Sequence, residues 1–320
     1  MEIRDIEYFC HVAKTRHVGK AAEIIGLSQP ALSKSMRRLE NELNASLFRR
    51  TPKGMEVTAV GEMLLAHAKN LSVAFDDLRR EARNIVNGQS GLLRVGANPA
   101  IADYLLSDIC ATCLAEARGI RLSIMVDMNS VLVPALRDGV VDLIVSGIPP
   151  SSAPDFTHEP LLDDEFVVVA SASHPLARKK HLCPKDLVPY RWILSSASVA
   201  SSSVLSRQHL TQSLRNHDLP EPVIALETNS THLMMRTIAG SDLLGFQSRQ
   251  VIQSAKLNTR ELRIAGLAWY RRVGITYRRH SYLPHAGRRF IQLLHERANR
   301  EQVPAKAAKL TTNPNSLRQQ

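Results

Sequence analysis

The most constraining feature of this chain is the stretch from Val18 to Leu43, where two apolar periodicities are separated by one glycine. Ala21, Ala22 and Ile25 recur at helical spacing. Gly26 then supplies a residue that tolerates positive φ, and Leu27 turns inward. Ser28 is a good N-cap, and Pro30 falls in the first turn of a second helix, where its missing N–H costs nothing. Leu32, Met36, Leu39 and Leu43 continue that helix as a buried stripe. Small alanines where two helices cross, a glycine turn and a capped second helix predict a helix-turn-helix whose outer face can enter the major groove of DNA. That face holds Gln29, Ser33, Lys34, Arg37 and Arg38. Gln suits adenine edges, Lys suits guanine, and Arg or Ser commonly hold phosphates. Leu47–Thr58 then reads as strand, basic glycine turn, strand: a wing that sets Arg49, Arg50 and Lys53 beside a phosphate backbone.

Charge placement agrees with this reading. Residues 14–53 carry nine Lys/Arg against three Asp/Glu, and residues 271–320 carry eleven against two. The stretch 91–270 is close to neutral, sixteen against seventeen, within a chain of net charge +11. A basic segment that overlaps a helix-turn-helix is an electrostatic footprint for nucleic acid. The start of the chain lacks the apolar segment of a signal peptide, and no run of about 18 apolar residues crosses a membrane. The expected location is the cytoplasm.

The motif's residues resemble a known family over about residues 1–90: the LysR-type transcriptional regulators. They are Ala21-Ala22, Leu27-Ser28-Gln29-Pro30-Ala31-Leu32-Ser33, Leu39-Glu40, Leu43, Leu47-Phe48-Arg49-Arg50 and Thr58-x-x-Gly61. Val18-Gly19-Lys20 departs from the family's usual Phe and small polar residue, which bears on local packing alone. The resemblance implies that residues 28–42 are the recognition helix, with Ser28, Gln29 and Pro30 at its entry. It further implies that an imperfect palindrome of double-stranded DNA is bound by a dimer or a dimer of dimers (a homotetramer), with RNA polymerase as a further partner.

The apolar residues after Gly61 are Leu64, Ala68, Leu71, Phe75, Leu78, Ala82 and Ile85, spaced alternately four and three apart. This is a coiled-coil seam, so residues 61–88 are expected to be a dimerisation helix rather than one packed only on its own domain. From residue 92 strands alternate with helices, which predicts a mainly parallel α/β sheet. The topology resembles the family's two-lobed, periplasmic-binding-protein-like effector domain. The expected domains are a winged helix-turn-helix over 1–60 and an effector domain over 92–300. Lobe I takes about 92–162 and 266–300, lobe II takes about 163–265, and a disordered tail follows over 301–320. Ligands collect at the carboxyl ends of parallel strands. Those ends, with the family pattern, nominate Asn98, Ala100, Met128, Ser146, Ser198, Thr228 and Phe246. Hydroxyls, amides and free N–H groups at helix starts suit a carboxylate, although Ser and Asn also cap helices constantly.

Three other functions fit the sequence less well. An enzyme is disfavoured because no GxxxxGK[ST], GxGxxG, HExxH or GxSxG motif stands in the chain, and no cofactor or metal is expected. A thiol-redox sensor would have to use Cys110 and Cys113, one C-x-x-C pair on a predicted helix with no further ligands for a metal. A ligand-independent nucleoid protein would leave about 200 residues of two-lobed domain without a role.

Overall fold

The chain is described from a computed structural model covering residues 2–51, 54–86, 91–116, 119–149, 154–196, 202–279, 283 and 285–310. It divides into two compact units, Met1–Val86 and Asn87–Gln320.

In the first unit, α1 (Ile3–Thr15), α2 (Val18–Ile25) and α3 (Gln29–Leu43) precede a hairpin of β1 (Phe48–Thr51) and β2 (Gly54–Val57), and α4 (Ala59–Val86) closes it. Each boundary has a local cause. Gly26 ends α2 at φ 74°, a conformation that penalises a Cβ. Ser28 Oγ accepts the Ala31 N–H at 3.4 Å, and Pro30 sits in the first turn of α3. The core is Phe9, Val12, Ala21, Ala22, Leu32, Met36, Leu39 and Leu47. Sequence reasoning left α1 out, yet Phe9 is fully buried. Leu43, expected in the stripe, is exposed: the helix ends there, at a left-handed Asn44.

The second unit is built on one nine-stranded sheet among the described residues, ordered β4-β3-β5-β11-β6-β9-β7-β8, with β10 also paired to β6. Lobe I takes β3 (Leu92–Ala97), β4 (Arg121–Val126) and β5 (Leu143–Gly147), with β3 parallel to both neighbours. Lobe II takes β7 (Trp192–Leu194), β8 (Ile224–Glu227) and β9 (Leu244–Ser248), with β7 parallel to both of its neighbours. Two long strands, β6 (Phe156–Ser171) and β11 (Trp269–Arg278), run antiparallel through both lobes. β10 (Thr259–Leu262) pairs antiparallel with the end of β6.

The helices are α5 (Pro99–Ile101), α6 (Ser107–Glu116), α7 (Asn129–Arg137), α8 (Ser202–Arg215), α9 (Thr231–Ala239), α10 (Arg249–Ser254) and α11 (His285–Leu310). A π-helical segment, Ala102–Leu106, joins α5 to α6. The largest core cluster packs β3, β5 and the middle of β6 and β11 against the helix that follows β3, α9 and α11; a second fills lobe II around Trp192, Leu210 and Phe246.

Three features depart from the sequence expectation. The first ten residues of β6 read as loop because Pro160 and the acids at 163–165 interrupt the apolar run. In the fold, Pro160 occupies a register shift opposite Gly274, where a missing N–H is tolerated. The crossing strands and β10 are antiparallel, so the sheet is mixed rather than mainly parallel. Residues 301–310, expected in a disordered tail, continue α11 to Leu310. Three Ala, two Lys and a Leu among them favour a helix, while Pro304 within it removes one backbone N–H donor.

Candidate nucleic-acid interface and effector cleft

The outer face of α3 presents Gln29, Pro30, Lys34 and Arg37 to solvent, with Ser28 at the entry and Ser33 half-buried. Lys34 and Arg37 have no ion-pair partner among the described residues, which suits groups awaiting phosphate or base edges. Arg38 is placed otherwise. Its Nε and Nη2 donate to the Asp5 carboxylate at 3.1 and 2.5 Å, and Ser35 Oγ donates to the same group at 2.6 Å. Asp5 is fully buried. Burial raises its pKa, but the bonds from Arg38 and Ser35 outweigh that and hold the carboxyl below the usual carboxylate range. Arg38 therefore clamps α3 to α1, with its side chain still half exposed beside the outer face. Nothing in the sequence pairs positions 5 and 38 except their opposite charge.

The wing departs similarly. Arg49 lies opposite Glu56 in the hairpin, and the two pair across it at 2.7 Å. This exposed pair competes with the phosphate contact expected of Arg49. Arg50 is on β1 with its side chain outside the described residues, and Lys53 lies outside them altogether. The motif residues that are not on the outer face have structural work. Glu40 Oε1 accepts the Leu47 and Phe48 N–H groups at 2.8 and 3.4 Å. Thr58 Oγ1 donates to the Ser46 carbonyl at 2.7 Å and accepts the Gly61 N–H at 3.1 Å. A Cβ on Gly61 would lie 2.4 Å from the Leu47 carbonyl oxygen. Together they fasten the wing to the start of α4.

The expected seam on α4 splits in two. Leu64 packs on the core of its own unit, and Ala68 is buried. Further along, Leu71 and Leu78 are 43% and 56% exposed, and Arg79 stacks over the half-buried Phe75 ring at 4.6 Å. Ile85 is in the helix, but its side chain is outside the described residues. Full burial of a Leu contributes about 1.5–3 kcal/mol, and much of that is unclaimed at positions 71 and 78 within one chain.

In lobe I the three parallel strand ends converge as expected. Asn98 follows β3, Asn129 follows β4, and Ser146-Gly147 ends β5. Asn98 Nδ2 donates to the Asp127 carbonyl and to Asn129 Oδ1 at 3.1 and 3.3 Å, and Asn129 Nδ2 reaches the Gly147 carbonyl at 3.3 Å. Ser146 is 4% exposed and its hydroxyl donates to the Gly147 carbonyl at 3.4 Å. Asn98 is as buried, and its Oδ1 has no hydrogen-bond partner.

Helix capping was the competing explanation for these residues, and it divides them. Ser230 does cap α9, accepting the Leu233 N–H at 3.2 Å, and Thr228 accepts the Ser230 N–H at 3.1 Å, bracing the same turn. Asn98 stands at the N-cap of α5 and Met128 at that of α7, yet neither makes a side-chain cap bond. Ala100 is half-buried in α5 against the lobe I core. Phe246 is a correction: it is 4% exposed, 5.8 Å from the Phe166 ring and stacked on His209, in the lobe II core rather than on a cleft wall. Period-two alternation along β9 turns Phe246 toward that core and Gln247 toward α9, where it reaches the Met234 sulfur. Ser198 lies outside the described residues.

Sequence reasoning missed the crossover itself. The acids Asp163, Asp164 and Glu165 face Arg272, Arg271 and Tyr270 in register across β6 and β11. Asp164 is fully buried; Arg271 binds it at 2.9 and 2.8 Å, and Ser248 Oγ donates to it at 2.5 Å. Glu165 accepts from the Tyr270 hydroxyl at 3.1 Å and pairs with Arg249. A run of three acids, matched about a hundred residues later by a basic run, was the signal available.

Cys113 is buried and Cys110 half-buried on α6. Burial pushes both thiols up, away from the thiolate a peroxide sensor needs. Among the described residues no His, Cys, Asp or Glu group has the makings of a metal site, and no helix is long and apolar enough to cross a membrane.

A two-lobed sensor fold on the same chain as a winged reading head defines a ligand-responsive DNA-binding regulator. Residues 3–62 match the bacterial regulatory helix-turn-helix protein family of lysR type, and residues 87–299 match the LysR substrate binding domain. The chain belongs to the LysR family of transcriptional regulators. It is 30% identical over 216 residues to the regulator YtlI of Bacillus subtilis, covering 68% of this chain and 69% of that one. Its fold is similar to full-length OxyR of Pseudomonas aeruginosa, with TM-score 0.60, 23% identity, and 93% and 95% of the two chains covered. It is also similar to full-length CbnR complexed with its target DNA, with TM-score 0.58, 19% identity, and 93% and 100% covered.

Proposed function

We propose that this DNA-binding regulator reads an imperfect palindrome as a dimer, or as a dimer of dimers, and is switched by a small organic or aromatic carboxylate held between its lobes. On this reading Gln29 and Lys34 read base edges, while Arg37, Arg50 and Lys53 hold phosphates. Leu71, Phe75, Leu78 and Ile85 pair α4 with a second copy. The effector's carboxylate sits at the uncapped starts of α5 and α7, near Ser146, and Asn98 Oδ1 accepts from a hydroxyl or amine on the same molecule. The observation that carries the cleft is Asn98: a buried amide with an unmet acceptor is costly unless a ligand or water completes it. Effector binding shifts the assembly only by its differential affinity for two closure states, and the crossover pair Asp164–Arg271 is where β6 and β11 would absorb the change. RNA polymerase is the downstream partner, and the chain acts without catalysis.

The test is a thermal-shift screen against organic, aromatic and amino acids. A binder at a hundred times its Kd stabilises by about 2.7 kcal/mol. The hit must lose its effect in Asn98→Ala while operator binding persists. A hit that stabilises the wild type and Asn98→Ala equally overturns the cleft assignment.

A further inference from the structure

Lobe II carries a groove beside the end of β6, lined by none of the residues assigned above to the reading head or the interlobe cleft. β6 ends at Ser171, and the chain turns into a short 3-10 helix, Pro175–Arg178. β10 lies alongside, with Thr259 opposite Ser171 and Leu262 opposite Val168. Between them is a depression of about 380 Å³ with Leu176, Leu182 and Leu262 among its lining residues, within the size range of small-molecule sites. Lys179 and Lys180 line one flank, and Arg260, Glu261 and Arg263 the other, the Glu261 carboxylate being held by Arg249 and Arg263.

The charge of this groove is not inherited from a basic domain, since residues 91–270 are close to neutral. Lys179 is matched by Asp186 at 2.6 Å, and Arg263 by Glu261 at 2.7 Å, with Glu261 shared with Arg249. Lys180 and Arg260 have no ion-pair partner among the described residues, and both are exposed. Two unmatched cations thus flank one concavity from two different elements, and a dianion between them relieves their mutual repulsion. A guanidinium fork beside an ammonium suits phosphate oxygens. The recessed, partly apolar floor suits a short organic body better than a duplex, which needs cations along an open ridge.

We propose that this groove is a second ligand site that takes a phosphorylated small molecule of two or more negative charges, with Lys180 and Arg260 holding the phosphate. It is independent of the cleft effector and of the DNA-reading face.

The experiment is isothermal titration of the full-length chain with inorganic pyrophosphate at fixed ionic strength, because exposed charges are screened by salt. Saturable binding at one site per chain is expected, at least tenfold weaker in the double variant Lys180→Gln/Arg260→Gln. Arg260→Lys, which keeps the charge but loses the fork, is expected to bind more weakly than the wild type and more tightly than the double variant. The head variant Gln29→Ala/Lys34→Ala is expected to bind pyrophosphate unchanged. No saturable heat, equal affinity in the Lys180→Gln/Arg260→Gln protein, or loss of binding in the head variant would overturn the proposal. So would a weaker operator affinity in the groove variant together with displacement of pyrophosphate by operator duplex, since the groove would then be a DNA contact.

Discussion

Replacing Asp5 with Asn separates the structural role of Arg38 from a DNA-contacting one. The side chain keeps its shape and loses its charge. It accepts hydrogen bonds from Ser35 and from two atoms of Arg38 while fully buried. Hydrogen bonds to a charged group are each worth about 1.5–3 kcal/mol, and the amide still accepts some of them, so a net loss near the lower figure is expected. For a unit of this size about 1.5 kcal/mol lowers the melting temperature by roughly 6 °C or more.

The assay can be made specific to the unit. Both tryptophans, Trp192 and Trp269, lie in the second unit, so tryptophan fluorescence should melt as in the wild type while the helical signal of the first unit melts earlier. The carboxyl's folded pKa is depressed, so its stabilisation is present above the unfolded value of about 3.9 and is lost as pH falls through the folded value. The gap between wild type and Asp5→Asn should be full at pH 7 and close below about pH 4. An unchanged helical transition at pH 7, or a gap that widens in acid, would refute the clamp.

Five further substitutions have defined outcomes. Gln29→Ala should cost about 1–3 kcal/mol of discrimination at one base position, whereas Lys53→Ala should weaken all sequences alike and flatten the salt slope by about one; competition binding with mutated operators distinguishes them. Leu71→Asp should give monomers in sedimentation velocity, and an intact dimer would refute the α4 seam. Asp164→Ala strands a largely buried Arg271 and should cost about 3–5 kcal/mol, visible as an early tryptophan transition because Trp269 packs on Phe166 at 5.1 Å. Gly61→Ala should unfasten the wing from α4, read as a lowered first-unit melting temperature with the tryptophan transition unmoved.

The reading head was legible in the sequence because its signals are local. Gly26, Ser28 and Pro30 each act within a few residues, and a periodic stripe declares its face. The βα alternation of lobe I was legible for the same reason, as was the convergence of Asn98 with Ser146 at neighbouring strand ends. What escaped depends on long-range pairing. The ion pairs of Arg38 with Asp5 and of Arg49 with Glu56 join positions that no local signal connects. Phe246 looked like a cleft wall because strand alternation gives two faces without saying which one is occupied. The first ten residues of β6 looked like loop because Pro160 and three acids are penalised in an isolated strand, and only β11 supplies the register shift and the arginines that accommodate them.

The central claim is that the exposed face of α3 and its wing grip duplex DNA. Fluorescence anisotropy with a labelled duplex from the chain's own promoter region tests it most directly, titrated over a series of salt concentrations. The account predicts saturable binding whose affinity falls steeply with salt, by a log–log slope of about −0.9 per phosphate contacted, and which Gln29→Ala impairs for that duplex but not for an unrelated one. No binding at low ionic strength, or binding that ignores both salt and sequence, would contradict it.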